Sequence, residues 1–432
     1  PEKAQVPVFI VGGGPSLDKD LSFLRRHQDR ALIFACGTTI DPLYHAGVQP
    51  DFYCCTERIS YIAEQVAALP ERSFVERMTL LSSDVVHPQV RRQFRRSLLF
   101  VKPDEPFAAL AAACLPDAGD LSPIYLMNPL VGNLGLSAAL HLGMRELLLF
   151  GFDSGSRVKG RMHSQYTRFY SEDRRRETGG QFELGEQRPG NFGGGCETGY
   201  FFMLSMRYME QLLAAWRGQA DCINCSDGCL IEGARPCRSA ELEERFAALP
   251  VIEDKKALTD AIINELAAPL EADAASFREA FRTAEFTALC ARLKALLEEP
   301  VKDRAQGLEV MLRVQRELNA CSGTPQSYLA MMLSGSLNSF FISVLGVLYR
   351  DRDEPACLRG MREAFKIIGF FLEDAARLYP YLPDYCFGDH LKLNGGRVGF
   401  DHGALKAPQH PGIPRLLPEG SHTYSEGFTK RY

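Results

Sequence analysis

No excess of charge of either sign marks this chain. Its 49 basic and 54 acidic side chains leave a formal charge of −5, so neither a nucleic-acid backbone nor an anionic membrane surface is an expected partner. It also lacks an apolar run fit to span a bilayer, which takes about 20 residues nearly free of polar interruption. The most apolar stretch, 328–349, is broken by Ser334, Ser336, Asn338, Ser339 and Ser343 and is expected to be a buried bundle helix. No secretory leader opens the sequence: the polar PEKAQ leads straight into a strand-like run, without an initiator Met. A cytoplasmic protein with further residues upstream is therefore expected. Thirteen cysteines, an odd number scattered from Cys36 to Cys386, argue for reduced thiols rather than a disulfide framework. There is no internal repeat.

What is present is enough for two cores in 432 residues. Residues 1–235 alternate short apolar runs with amphipathic stretches, the pattern of an α/β, Rossmann-like and mostly parallel sheet. Strands are expected at 6–13, 30–37, 51–57, 78–84, 97–102, 123–128, 145–153 and 221–228. Helices are expected at 17–27, 59–68, 134–143 and 200–217. Residues 236–385 read instead as an all-α domain, with long periodic segments at 238–249, 254–272, 274–299, 301–320, 325–350 and 354–379. Pro300 and Pro325 punctuate them. The segment 386–432, rich in Gly, Pro and His, reads as an irregular tail.

The sharpest motif is Gly12-Gly13-Gly14-Pro15-Ser16-Leu17, between an expected strand and an expected helix. Glycines there let backbone N–H groups approach a phosphate, and a helix N-terminus adds partial positive charge. Ser16 suits a helix cap or a phosphate contact. Leu17 stands where a dinucleotide fingerprint needs its third glycine, the second strand ends in Cys36-Gly37-Thr38 rather than an acid, and no Gly-Lys-Ser/Thr follows for a Walker loop. A second turn, Asn128-Pro129-Leu130-Val131-Gly132-Asn133, repeats the expected geometry, with Asn133 placed either to cap a helix or to hold a ribose or phosphate oxygen. Ligands of open α/β sheets collect beyond the strand C-termini. That rule picks out Glu57 and Asp153, each able to orient a sugar hydroxyl, bind a metal or cap a loop, whereas Asp51 at a strand entrance orders a turn. The loop after Asp153 is basic and carries His163, Tyr166 and Tyr170. His163 is a candidate general base, and the tyrosines are candidate donors to phosphate oxygens. Cys222-x2-Cys225-x3-Cys229 matches no common zinc module, and its first two thiols are expected on opposite faces of a strand, so no metal is expected there.

In this order GGGPSL, AGVQPDFYCCTE, GNLGLSAALHLGMRELLLFGFDS, a later His and INCSDGCLIEGA resemble the central domain of motility-associated factor (Maf) flagellin glycosyltransferases. That domain is itself similar to the 6-hydroxymethylpterin pyrophosphokinase MptE-like domain and to the sialyltransferases of glycosyltransferase family 42. The resemblance implies transfer of a nonulosonic acid, pseudaminic or legionaminic in type, from a cytidine monophosphate (CMP) donor to Ser or Thr of flagellin in a bacterial cytoplasm. It implies a nucleotide loop at Gly12, Gly14, Pro15 and Ser16; Gly13, Thr38 and Glu57 are candidate donor contacts beside it. Glu57 stands where many relatives have Asp, and Cys36-Gly37-Thr38 lacks the Asn of the sialyltransferases. Asn128, Gly132 and Asn133 would form a second loop, and Ser226 and Glu232 a last motif. Asp153 and His163 would be the catalytic pair. The helical domain would take the protein acceptor. No cofactor is required by such chemistry, because the leaving phosphate is already ionised, and a homo-oligomer is compatible with the sequence. Two other functions stay open: a Mg²⁺-dependent pterin diphosphokinase, with metal on Glu57 and Asp153, and a non-catalytic flagellin-binding chaperone on the same scaffold.

Overall fold

The computed structural model describes residues 5–58, 61–103, 105–114, 121, 123–157, 161–168, 184–267, 274–324, 326–350, 352–383, 391–394 and 397–400. It divides into two compact units: Pro1–Pro103 with Ser122–Pro269 and Leu391–Gly399, and Asp104–Leu121 with Leu270–His390 and Phe400–Tyr432. The division lies near 269 rather than at the expected 235, and a short stretch near 110 joins the helical unit.

In the first unit the strands are β1 (Pro7–Val11), β2 (Leu32–Cys36), β3 (Phe52–Cys55), β4 (Thr79–Ser83), β5 (Arg96–Phe100) and β6 (Glu146–Phe150). After them come the hairpin β7 (Glu186–Pro189) and β8 (Gly195–Thr198), then β9 (Asp221–Asn224) and β10 (Arg235–Pro236). Eight of these form one parallel sheet in the order β10-β9-β6-β1-β2-β3-β4-β5. The chain winds outward from β1 to β5, then returns to place β6 on the other side of β1, with Val11 opposite Phe150. That reversal is a topological switch point, where strand C-termini leave a crevice.

The sheet is buried on both faces, which is why its strands read as continuous apolar runs. Side chains alternate between the faces. Val8, Ile10, Leu147 and Leu149 pack in one core with Leu134, Met209 and Ile262. Phe9, Val11, Leu148 and Phe150 pack in the other with Leu17, Leu24 and Phe246. The covering helices are α1 (Leu17–His27), α2 (Ile40–Ala46), α3 (Tyr61–Ala67), α4 (Arg72–Glu76) and α5 (Pro88–Arg91) before the insertion α6 (Pro106–Cys114). Then come α7 (Val131–His141), α8 (Tyr200–Ala215), α9 (Glu243–Ala248) and α10 (Lys255–Leu266).

The expected strand at 123–128 is absent. Among the described residues only Pro123 bridges, to Val101, with the Ile124 N–H donating to the Val101 carbonyl at 3.0 Å. The extended run then breaks at Leu126, whose φ of 57° is left-handed. The β7–β8 hairpin and α6 were not expected from the sequence.

The helical unit holds α11 (Ala274–Ala280), α12 (Thr283–Leu297), α13 (Arg304–Ala320), α14 (Ser327–Tyr349) and α15 (Glu354–Leu378) around one core, which α6 joins through Leu110. Asp303 caps α13, its carboxylate accepting from the Gln306 N–H at 2.8 Å. By length and composition α14 could cross a bilayer, yet Tyr328, Leu333, Leu337, Phe341, Val344 and Leu348 place one stripe of it in this core. In the segment expected as an irregular tail, strands β11 (Leu391–Asn394) and β12 (Arg397–Phe400) pair.

Candidate active site

A cleft of about 280 Å³ opens at the switch point, and all of its lining comes from the first unit. The turn after β1 supplies Gly12, Gly13 and Gly14; the turn after β2 supplies Gly37 and Thr38; the end of β3 supplies Thr56 and Glu57. Across from them stand Val131 and Gly132 at the start of α7, Asp153 and Ser154 beyond β6, and His163. Tyr53, Ile62, Phe202 and Met209 add apolar surface. Of the residues singled out in the sequence, Gly12, Gly13, Gly14, Thr38, Glu57, Gly132, Asp153 and His163 are therefore brought together.

The three glycines do not act alike. Gly12 N–H donates to the Phe150 carbonyl at 2.7 Å and Gly14 N–H to the Gly151 carbonyl at 2.8 Å, prolonging the β1–β6 pairing past the strands. Those two amides are spent inside the fold, so of the glycine N–H groups expected to approach a phosphate, those of Gly12 and Gly14 are already bonded. Close approach explains the residue type: a Cβ at Gly12 would stand 2.7 Å from the Gly151 oxygen, and one at Gly14 would overlap the Asp153 carboxylate. Gly13 faces the cleft instead, with Thr38 Oγ1 at 3.2 Å from the position of its missing Cβ and His163 Nδ1 at 3.9 Å.

Asp153 is buried and serves as a brace. Ser16 donates to its carboxylate from Oγ at 2.8 Å and from the backbone N–H at 3.3 Å, tying the end of β6 to the start of α1. Burial raises its pKa to about 7, against the pull of the Ser16 bonds. Ser16 thus caps nothing with its own side chain and is held by a carboxylate 137 residues away. His163 shifts the other way: burial lowers its pKa to about 4, offset in part by a hydrogen bond with the Gly13 backbone. At neutral pH its imidazole is uncharged. Glu57 stands more open at the mouth, and the surrounding protein raises its pKa by desolvation.

Several expected contacts lie elsewhere. Asn133 is buried and structural: its Oδ1 accepts from Leu130 N–H at 3.3 Å and Ser205 Oγ at 2.6 Å, and its Nδ2 donates to the Ser205 carbonyl at 3.0 Å. It joins α7 to α8, so of its two readings the structure takes the cap. Ser226 Oγ accepts from the Phe152 N–H at 2.7 Å and braces the β6 and β9 ends. Glu232 is exposed, and its N–H donates to Glu210. Tyr166 stacks on His45, ring centroids 4.3 Å apart, away from the cleft lining. Asn128 and Pro15 likewise fall outside that lining. Tyr170 lies outside the described residues. Cys222 and Cys225 are both buried but in opposite cores, as strand alternation requires, and no group of three or more metal-ligating side chains occurs among the described residues. The diphosphokinase reading needs carboxylates free for Mg²⁺; of its two, Asp153 is committed to Ser16, a poor fit to a metal site.

Sequence inspection missed the groups that order the His163 loop. Asp18 receives Arg161, Ser164 Oγ and the Gln165 N–H. Asp41 pairs with Arg168 at 3.0 Å, and Ser164 N–H donates to the Gly13 carbonyl at 2.9 Å. An acid in the first turn of a helix is common for dipole reasons alone, so nothing local flagged Asp18.

Fold and cleft together define a doubly wound α/β protein with a cleft at the switch point and a helical unit after it. Residues 2–159 match the family model described as 6-hydroxymethylpterin diphosphokinase MptE-like. A 64-residue stretch is 38% identical to an uncharacterized protein of Treponema pallidum (strain Nichols), covering 14% of this chain and 30% of that protein. Among solved structures the chain is similar to the MAf glycosyltransferase from Magnetospirillum magneticum AMB-1, with a TM-score of 0.68 and 26% identity over 88% of this chain. The match covers 56% of that protein, so the chain spans little more than half its length. The chain is thus similar to a Maf glycosyltransferase over most of its own length and carries an MptE-like region at residues 2–159.

Proposed function

We propose that this protein is a glycosyltransferase that moves a nonulosonic acid of the pseudaminic or legionaminic type from a CMP-activated donor to Ser or Thr of flagellin in the bacterial cytoplasm. The observation that carries the reading is His163, uncharged and set against the glycine turn, in a cleft whose fold is shared with a Maf glycosyltransferase. An acceptor hydroxyl needs a base, and a neutral imidazole is one. A bound donor would bring negative charge beside His163 and lift its pKa from about 4 toward neutrality, where proton transfer is more effective.

The leaving phosphate is already ionised and needs stabilisation rather than protonation. The α7 N-terminus at Val131 and Gly132, Gly13 and the Thr38 hydroxyl line the cleft for that task. No lysine or arginine lines it among the described residues, so backbone dipoles carry the load and Mg²⁺ is not required in this mechanism. The helical unit is the proposed acceptor domain.

The test is incubation of the protein with flagellin and candidate sugar nucleotides, read by intact mass. A second reading, diphosphoryl transfer to a pterin alcohol, is favoured by the family model over residues 2–159. Calorimetry with CMP and with ATP, each with and without Mg²⁺, separates the two: CMP binding without metal supports sugar transfer, and Mg²⁺-dependent ATP binding alone supports the diphosphokinase. Binding of neither nucleotide favours a flagellin-binding scaffold.

A further inference from the structure

We propose that Asp18, in the first turn of α1, is a positioning residue that clamps the loop bearing His163 against the glycine turn. The proposal rests on the reading of His163 as the base. One carboxylate takes three partners from the far side of His163 and the near side at once: the Arg161 guanidinium, the Ser164 hydroxyl and the Gln165 N–H. Its side chain is 11% exposed and its partner Ser164 is wholly buried. The Ser164 bond is therefore shielded from water, while the Arg161 and Gln165 bonds lie nearer the surface.

The fastening is reinforced from within the loop and from below. Ser156 Oγ donates to the Arg161 carbonyl at 2.7 Å, Thr167 Oγ1 to the Ser164 carbonyl at 2.8 Å, and Ser164 N–H to the Gly13 carbonyl at 2.9 Å. Ser164 is wholly buried. His163 therefore has an anchored residue next to it on one side and an anchored residue two positions before it. The same helix turn that meets Asp153 through Ser16 holds this loop through Asp18, so the cleft floor and its imidazole share one support. A base misplaced by about 1 Å can lose on the order of 10²-fold in rate, which is why such a clamp would matter to turnover rather than to nucleotide affinity.

The test uses the full chain and four proteins: wild type, Asp18→Ala, Asp18→Asn and, as a control for charge in the same helix turn, Asp20→Asn. Asp20 bonds Ser239, not the loop. Hydrogen exchange of the peptide spanning 161–168, with circular dichroism to check folding, needs no substrate. Asp18→Ala is expected to speed that exchange about tenfold or more and to lower kcat by roughly 10- to 100-fold with the donor KM within about threefold. Asp18→Asn, which keeps an acceptor oxygen for Ser164 and Gln165 but loses the charge opposite Arg161, falls between. Asp20→Asn moves neither readout. Unchanged exchange in Asp18→Ala overturns the clamp. Faster exchange with wild-type kcat, while His163→Ala is inactive, overturns the positioning role. If wild type transfers no sugar, the proposed function fails, and the exchange comparison still decides whether Asp18 holds the loop.

Discussion

At the residue scale, burial drives the two ionisable groups flanking Gly13 and Gly14 toward their uncharged forms. His163 falls to about 4 and Asp153 rises to about 7. The consequences for stability run in opposite directions. The depressed His163 contributes stability that is present above its ordinary value and lost as pH falls toward about 4. The raised Asp153 contributes stability that is present below the ordinary carboxylate range and lost as pH rises through about 7. Melting of Asp153→Asn against wild type from pH 4 to 8 checks this: the variant is expected to gain on wild type as pH rises, and a gap independent of pH would deny Asp153 its raised pKa. His163→Ala is expected to lower turnover by roughly 10²–10⁴-fold while nucleotide affinity, measured by calorimetry, changes little. Near-normal turnover would remove His163 from the chemistry.

The glycine turn shows how an element can be legible and still be misread in detail. Strand, turn and helix at 6–27 follow from apolar runs and Gly12-Gly13-Gly14, because those signals are local. The fate of each amide is not local: Gly12 and Gly14 bond carbonyls of Phe150 and Gly151, some 137 or 138 residues on. Asn133 likewise reveals its role only through Ser205, 72 residues away. Conversely, 123–128 has a strand's composition but bridges only at Pro123 and turns away at Leu126, whose φ is 57°.

This distinction gives a paired prediction. Gly14→Val, whose side chain would overlap Asp153, is expected to disrupt the turn itself, seen as a lowered melting temperature with or without ligand. Gly13→Ala places its methyl 3.2 Å from Thr38 Oγ1 on the cleft side, so it is expected to weaken nucleotide binding while the fold melts close to wild type. The reverse pattern would mean that the cleft lies on the other side of the turn. Asn133→Ala, which strands the Leu130 N–H and Ser205 hydroxyl, is expected to destabilise the fold by about 1–3 kcal/mol in denaturant unfolding.

At the scale of the whole molecule, the sheet order, the cleft at the β1–β6 reversal and the helical unit follow one logic: local periodicity sets the elements, and the switch point sets the site. The sugar, the CMP leaving group and the flagellin acceptor are what the proposal adds. One measurement reaches all three. Flagellin lacking its glycans is incubated with the protein and CMP-activated pseudaminic or legionaminic acid, without Mg²⁺, and its intact mass is followed beside a His163→Ala control. The expected result is stepwise addition of nonulosonic acid residues by the wild-type protein and little or none by the variant. Unmodified flagellin with every such donor, under conditions where the protein is folded and binds ATP with Mg²⁺, would overturn the glycosyltransferase reading.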